Sequence, residues 1–90
     1  MSAKNDVIVT KSGGCNGGYQ WWVAENRNRD KSIDANIEIS QSSNGKVDTY
    51  ERQFLLPPGG TQQVICSGSH GSSAGGAYTA TAKLAGAEYK

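Results

Sequence analysis

Residues 32–40, Ser-Ile-Asp-Ala-Asn-Ile-Glu-Ile-Ser, alternate without exception between polar and apolar side chains. A period of two predicts a β-strand with one face buried and the other in water. We therefore expect Ile33, Ala35, Ile37 and Ile39 to form the centre of the hydrophobic core. The other elements of the chain are interpreted as partners for this strand.

Five further stretches have the composition of strands and are bounded by turn residues. The Asn44-Gly45 dipeptide predicts a tight type I′ hairpin turn after the first strand of a pair. The Pro-Pro-Gly-Gly sequence at 57–60 predicts the end of the second, because proline cannot donate to a ladder. The predicted strands are 6–11, 19–25, 32–40, 46–56, 61–66 and 77–84; the predicted loops are 12–18, 26–31 and 67–76, with a tail at 85–90. A helix is the alternative for 77–84, because alanine is the best helix former.

Alternation within each strand predicts which side chains face the core. In the second strand we expect Trp21 and Val23 inside, which leaves Trp22 pointing outward or covering a sheet edge. For the later strands, the expected inward residues are Tyr50, Phe54, Leu56, Val64, Cys66, Tyr78, Ala80, Ala82 and Leu84.

Short strands with turn signals roughly every 8–12 residues are typical of sandwiches and small barrels. Twelve glycines with one Phe and one Met argue against a helical bundle, and no stretch has helical periodicity. The sequence therefore predicts one all-β domain over 1–90, a small immunoglobulin-like β-sandwich of about six antiparallel strands. A five- or six-stranded barrel is the alternative.

Cys15 and Cys66 are the two cysteines of the chain. A disulfide between them would close a loop of about 50 residues and stabilise the fold by roughly 4 kcal/mol; the alternative is two thiols, at least one of them buried. A bridge would favour an extracellular or periplasmic location.

Residues 1–6 lack the apolar segment of a signal peptide, so we expect the chain to be either intracellular or a mature form with an added Met1. No apolar run approaches the ~20 residues of a transmembrane helix.

The residues that could carry catalysis are poorly placed for it. Cys66 and His70 are four residues apart, but nothing in the sequence orients a base against the thiol. Asp34 and Glu38 would lie ~13 Å apart along one strand, too far for a catalytic carboxylate pair. Two cysteines and one histidine do not complete a zinc site, and the glycines fit no phosphate-binding motif. We expect neither enzymatic activity nor a cofactor or metal.

The loop at 25–31 is the densest charged stretch, with three cations and two anions. Beside aromatic rings, its arginines suit a sugar or single-stranded nucleic acid; the alternative is a solvated loop. The net charge of +1 gives no strong nucleic-acid signature. The candidate binding residues are Tyr19, Trp22, Arg27, Arg29 and Lys31.

These observations favour a non-catalytic binding domain, either a protein–protein interaction domain or a surface module, because recognition loops are usually carried on rigid scaffolds. One alternative is a self-assembling structural subunit, such as a surface, appendage or viral accessory protein, in which edge strands pair between copies. Another is a carbohydrate-binding module that uses exposed Trp22 and Tyr19. The expected partner is thus another protein, a copy of the chain, or a glycan.

Overall fold

The computed structural model describes residues 3–43, 45–69 and 77–90, and most of them lie in strands. The chain forms two antiparallel sheets with strand orders β1-β2-β5 and β4-β3-β7-β6, so the predicted β-sandwich is confirmed. A short 3-10 helix over Ala3–Asp6 precedes the strands. Their bounds are β1 Val7–Asn16, β2 Tyr19–Asn26, β3 Ile33–Ser43, β4 Lys46–Leu56, β5 Thr61–Cys66, β6 Gly68–Ser69 and β7 Tyr78–Tyr89.

The described part of the chain contains no helix that is long and apolar enough to cross a membrane.

The core is built on β3, which lies between β4 and β7. Ile33, Ala35, Ile37 and Ile39 are all 0% exposed, as the strict alternation of the sequence predicts. Fully burying each isoleucine contributes about 1.5–3 kcal/mol. The prediction for this strand is therefore confirmed, including the polar character of its outer face.

The hairpin between β3 and β4 is also confirmed. Ser43 pairs with Lys46 across the turn, and the register continues without a shift to the pair Ile33–Leu56. Gly45 has a φ of 78°, which a residue without a Cβ adopts at little cost. Asn44, the other residue of the predicted turn, lies outside the described residues.

The turn at 57–60 ends β4 as predicted. The Gly60 N–H donates to the Pro57 carbonyl at 2.8 Å, and Gly59 has a φ of 68°, as a type II turn requires. The following β5 buries Val64 and Cys66, each 6% exposed, on one face. Cys66 forms the predicted disulfide with Cys15, so the bridge joins the two strands that flank β2.

Three of the predicted loop and tail segments are wrong. β1 continues through Gly13 and Gly14 to Asn16, because irregularities in its pairing with β2 accommodate the glycines. β7 continues to Tyr89, because an extra residue beside the Asn36–Gly86 pair shifts the register and lets pairing with β3 go on. Within the predicted loop at 67–76, β6 pairs with β7, and residues 70–76 lie outside the described part.

The predicted inward faces of β2 and β4 need correction. In β2, Ala24 and Asn26 are 0% exposed, while Trp21 and Val23 are half-buried and Trp22 packs against the core. Both faces of this strand carry apolar residues, so alternation alone did not identify the inner one. In β4, Leu56 and Phe54 face the core as predicted.

Tyr50 is 38% exposed, although the sequence predicts it inside. The reason lies in the other sheet. The three-stranded sheet ends at β5, and the described residues provide no further strand beyond it. The inner face of β4 around Tyr50 is therefore not covered.

In β7, the predicted inward residues Ala80 and Ala82 are buried, and Tyr78 and Leu84 are half-buried.

Candidate functional site

The charged loop at 27–32 is held by a buried asparagine. The Asn26 side chain is fully buried, and its Nδ2 donates to the carbonyls of Lys31, Leu56 and Pro57 at 2.9–3.1 Å. Its Oδ1 accepts from the Asn28 N–H at 2.8 Å. Because a buried amide is costly unless its hydrogen bonds are satisfied, this network fixes the loop against the end of β4.

A second set of hydrogen bonds ties the loop to both ends of the chain. Asn28 Oδ1 accepts from the N–H groups of Asp30 and Lys31, each at 2.8 Å, and its Nδ2 donates to Asp6 Oδ2 at 3.1 Å. The Tyr89 hydroxyl donates to the same Asp6 oxygen at 2.6 Å. The hydrogen bonds from Tyr89 and Asn28 lower the pKa of Asp6, and the bond to Asp6 raises the pKa of Tyr89.

The predicted cations of this loop lie close together but do different things. Arg27 and Arg29 are exposed and line a polar cleft of about 190 Å³ together with Glu25, Asn26 and Gly59. The Lys31 ammonium instead lies over the Tyr89 ring, 5.1 Å from its centroid. Lys31 therefore covers the end of β7 rather than joining the two arginines.

The predicted aromatic residues lie elsewhere. Tyr19 begins β2 and lines a cleft of about 180 Å³ at the other end of the sandwich, with Ser42, Ser43 and Tyr78 among its neighbours. Its ring packs on the backbone of Gly68, where a Cβ would clash with the Tyr19 ring. Since β2 runs from Tyr19 to Asn26, about 23 Å at strand rise, Tyr19 and Arg27 lie at opposite ends of the molecule.

Trp22 packs against the core on the same face of β2 as Ala24, whereas the sequence predicts it on the opposite face, and its indole also covers the outer side of β7. Its Nε1 donates to the Ala80 carbonyl at 2.8 Å, and the Lys11 ammonium lies 5.4 Å from the centroid of its ring. With one face against the core and a cation over the ring, Trp22 does not offer the open ring expected of a sugar platform. The five predicted binding residues are thus not brought together.

Of the two residues considered for nucleophilic catalysis, only Cys66 lies within the described residues. Cys66 is bonded to Cys15 and has no free thiol, and His70 lies outside the described residues. Within the described ranges, no group of three or more His, Cys, Asp or Glu side chains could hold a metal ion.

The acidic residues on the outer face of β3 are paired with their neighbours. Lys83 Nζ lies 2.9 Å from Glu38, and Lys90 Nζ lies 3.8 Å from Asp34. The hydrogen bond with Glu38 raises the pKa of Lys83. Both carboxylates of this face are therefore engaged in ion pairs with lysines of β7 and of the chain end.

The sheet edges provide a different candidate, because an unpaired edge is a template for another strand. Three of the four edges are obstructed. β1 carries register irregularities after Lys11, and β5 has only six residues and a shift in its pairing with β2. The third edge is the two-residue strand β6, and β7 next to it is covered at Ala80. There the Ala80 N–H donates to the Ser67 carbonyl and the Ala80 carbonyl accepts from Trp22.

The fourth edge, on β4, is long and regular. β4 pairs with β3 along its whole length of 11 residues without a shift. The Ala80 N–H points away from β3, so Ala80 and the opposite residue of β3, Gln41, form a non-hydrogen-bonded pair. The N–H and C=O groups of Gln41 therefore point to the other side, toward Asp48 of β4. By alternation, the even-numbered residues of β4 bond to β3, and the odd-numbered residues direct their N–H and C=O groups to the free side. We call this side the β4 edge; its outward backbone groups belong to Val47, Thr49, Glu51, Gln53 and Leu55.

The same strand carries exposed apolar side chains. Among the described residues, the large hydrophobic side chains that remain well exposed all belong to β4: Val47 at 66%, Leu55 at 63% and Tyr50 at 38%. Tyr50 donates to Gln41 Oε1 at 3.3 Å, and the Arg52 guanidinium lies 5.3 Å from the centroid of the Phe54 ring. These contacts order the inner face of the strand beside the open edge.

Sequence reasoning missed the β4 edge because it assigned Tyr50 to the core. The signal that could have found it is the presence of Val47 and Leu55 at the positions that alternation assigns to the wet face. Comparisons of the chain with protein-family models, with curated proteins and with solved structures find no match.

Proposed function

We propose that the protein is a non-catalytic interaction domain that binds another protein strand along the β4 edge. The observation that carries this proposal is the coincidence, on one strand, of a backbone edge to which no described strand pairs and the exposed side chains of Val47, Leu55 and Tyr50.

Strand addition uses two kinds of contact, and β4 offers both. Main-chain hydrogen bonds supply affinity, while alternate side chains supply specificity. Outward N–H and C=O groups recur at every second residue from Val47 to Leu55. Charges at Lys46, Asp48 and Arg52 lie beside them on the inner face and would select the partner sequence.

The other elements serve as support in this proposal. The buried β3 strand holds β4 straight, and the Asn26 hydrogen bonds fix the end of β4 at Leu56. The disulfide suits an oxidising compartment, so we propose that the interaction takes place outside the reducing cytosol.

A photo-cross-linking residue tests the proposal in the cells that produce the protein. p-Benzoylphenylalanine is placed at Thr49, on the β4 edge, and in a second variant at Thr10, an exposed residue of the same type on β1. We expect an adduct from position 49 and none from position 10. Glu51→Pro, which removes an outward N–H and leaves the bonds to β3 in place, should abolish the adduct without unfolding the chain.

No adduct at position 49, equal adducts at both positions, or an adduct that survives Glu51→Pro would overturn the proposed function. The mass of the adduct identifies whether the bound strand belongs to another protein or to a second copy of the chain.

A further inference from the structure

The sequence of β4 is complementary to itself in one antiparallel register. When two copies of β4 pair edge to edge about a two-fold axis, the residue at the axis lies opposite its own copy. A residue a given number of positions before the axis lies opposite the residue the same number of positions after it. The registers that align most of β4 have the axis at Tyr50, Glu51 or Arg52. The choice among them follows from the charges that each one brings together.

Two of these registers place like charges together. An axis at Glu51 sets that carboxylate opposite its own copy, and an axis at Arg52 sets two guanidinium groups opposite each other. Like charges directly opposite each other destabilise an antiparallel pair. An axis at Tyr50 avoids this in every pair and places Asp48 opposite Arg52 twice, once on each side of the axis.

The backbone of β4 fits the same register. Tyr50 is an even-numbered residue whose N–H and C=O bond to β3, so across the free edge it forms a non-hydrogen-bonded pair with its copy. In such pairs the side chains approach most closely, and the two partly exposed tyrosine rings would meet. On either side, Thr49 and Glu51 of the second copy exchange N–H···O bonds through outward groups.

The opposite layer leaves room for the second copy. The three-stranded sheet does not cover the inner face of β4 around Tyr50 and Arg52, both of which are exposed. Arg52 can reach Asp48 of the second copy while its guanidinium remains near the Phe54 ring. Charges on an edge strand usually discourage pairing; on β4 their positions select one register.

Resting on the proposed function, we infer that the strand bound by the β4 edge is β4 of a second copy of this chain, paired antiparallel about a two-fold axis at Tyr50. The pairing joins two four-stranded sheets into one continuous sheet. The association is isologous and therefore closes as a dimer rather than growing into a filament.

Analytical ultracentrifugation of the full chain at micromolar to millimolar concentrations tests the inference with charge-reversal variants. We expect a concentration-dependent dimer in the unmodified protein. Asp48→Arg should weaken it at least about tenfold, because two contacts per dimer change from attraction to repulsion. The double variant Asp48→Arg/Arg52→Asp should recover most of the affinity, since it restores opposite charges at both contacts.

Two controls keep the result specific. Asp30→Arg makes the same substitution on an exposed residue of the loop at the Leu56 end of β4, away from the Asp48–Arg52 contacts, and should leave the dimer unchanged. Thr49→Pro removes an outward N–H and should abolish the dimer while circular dichroism shows a folded monomer. A second route, p-benzoylphenylalanine at Thr49, should give an adduct of twice the chain mass.

A strictly monomeric protein at millimolar concentration, or a dimer unaffected by Asp48→Arg or Thr49→Pro, would overturn the inference. Failure to recover affinity in the double variant would overturn the register. If the protein is monomeric but position 49 cross-links in cells to a different protein, self-pairing is wrong and the proposed interaction function stands. If position 49 gives no adduct at all, the proposed function itself is wrong.

Discussion

β4 and β7 both pair with β3, one on each side, but they differ in how far their side chains are buried and in whether their outer side is covered. β7 buries Ala80 and Ala82, its pairing is shifted beside Gly86, and its outer side is covered at Ala80 by Trp22. β4 pairs without a shift, exposes Tyr50 and has no strand on its outer side in the described structure.

Pairing with a buried strand therefore does not determine whether the neighbouring strand is buried. β1 and β5 contact β7, and Trp22 reaches the Ala80 carbonyl, so that Ala80 and Ala82 are buried; Tyr50, on the inner face of β4, stays exposed. The protein blocks one flank of its larger sheet by the usual means, a bulge and a covering side chain, and leaves the other flank regular. The open flank is therefore the better candidate for recognition.

The largest expected effect comes from removing the cover of β7. Trp22→Ala should destabilise the domain by about 3 kcal/mol, because it removes a large ring packed on the core and leaves the Ala80 carbonyl without its donor. Tyr50→Ala, the matched aromatic truncation on β4, should cost about 1 kcal/mol or less. Urea unfolding at micromolar concentration measures both. Equal losses would show that the two flanks are equally part of the core.

Proline substitutions on adjacent residues of β4 test the direction of its backbone groups. Thr49→Pro removes an N–H from the free edge, whereas Tyr50→Pro removes one that bonds to β3. Because the second change leaves a carbonyl of the sheet without its donor, it should cost about 1–3 kcal/mol more than the first. Denaturant midpoints of the two variants measure the difference. A reversed order would contradict the assignment of the β4 edge on which the proposed interaction depends.

The parts of the fold that the sequence predicts are those fixed by local patterns. Strict alternation identifies the buried side chains of β3, and Asn44-Gly45 with Pro57–Gly60 defines where β4 begins and ends. The disulfide is also predicted, because the chain has two cysteines and a thin core. In each case the evidence lies within a few residues or within a simple count.

The parts that are not predicted depend on distant neighbours. Trp21 and Trp22 offer β2 two equivalent faces, and the choice between them rests on the Ala80 carbonyl, 58 residues away from Trp22. Tyr50 has the correct alternation for a core residue, but its exposure depends on how far the other sheet extends. The β4 edge is hard to predict for the same reason. Whether a strand lies at an edge depends on the order of strands in the sheet and not on the sequence of that strand.

The smallest expected effect concerns the end of β7, where the Tyr89 hydroxyl donates to Asp6. This bond needs an ionised Asp6 and a protonated Tyr89. The lowered pKa of Asp6 means that its contribution to stability is lost as the pH falls below the ordinary aspartate value of 3.8 and through the folded pKa. The raised pKa of Tyr89 means that its contribution is lost as the pH rises above the ordinary tyrosine value of 10.0 and through the folded pKa.

Tyr89→Phe should therefore lower the free energy of unfolding by a constant amount between these two pH values, and the difference from the unmodified protein should close on both sides. Tyr78→Phe, which removes a tyrosine hydroxyl from the same strand, serves as the matched control. Denaturant unfolding as a function of pH measures the two curves. A Tyr89→Phe difference that stayed constant through the acid and alkaline limbs would show that the bond to Asp6 does not hold the end of β7, and closure of that flank would then rest on packing and on the Trp22 cover alone.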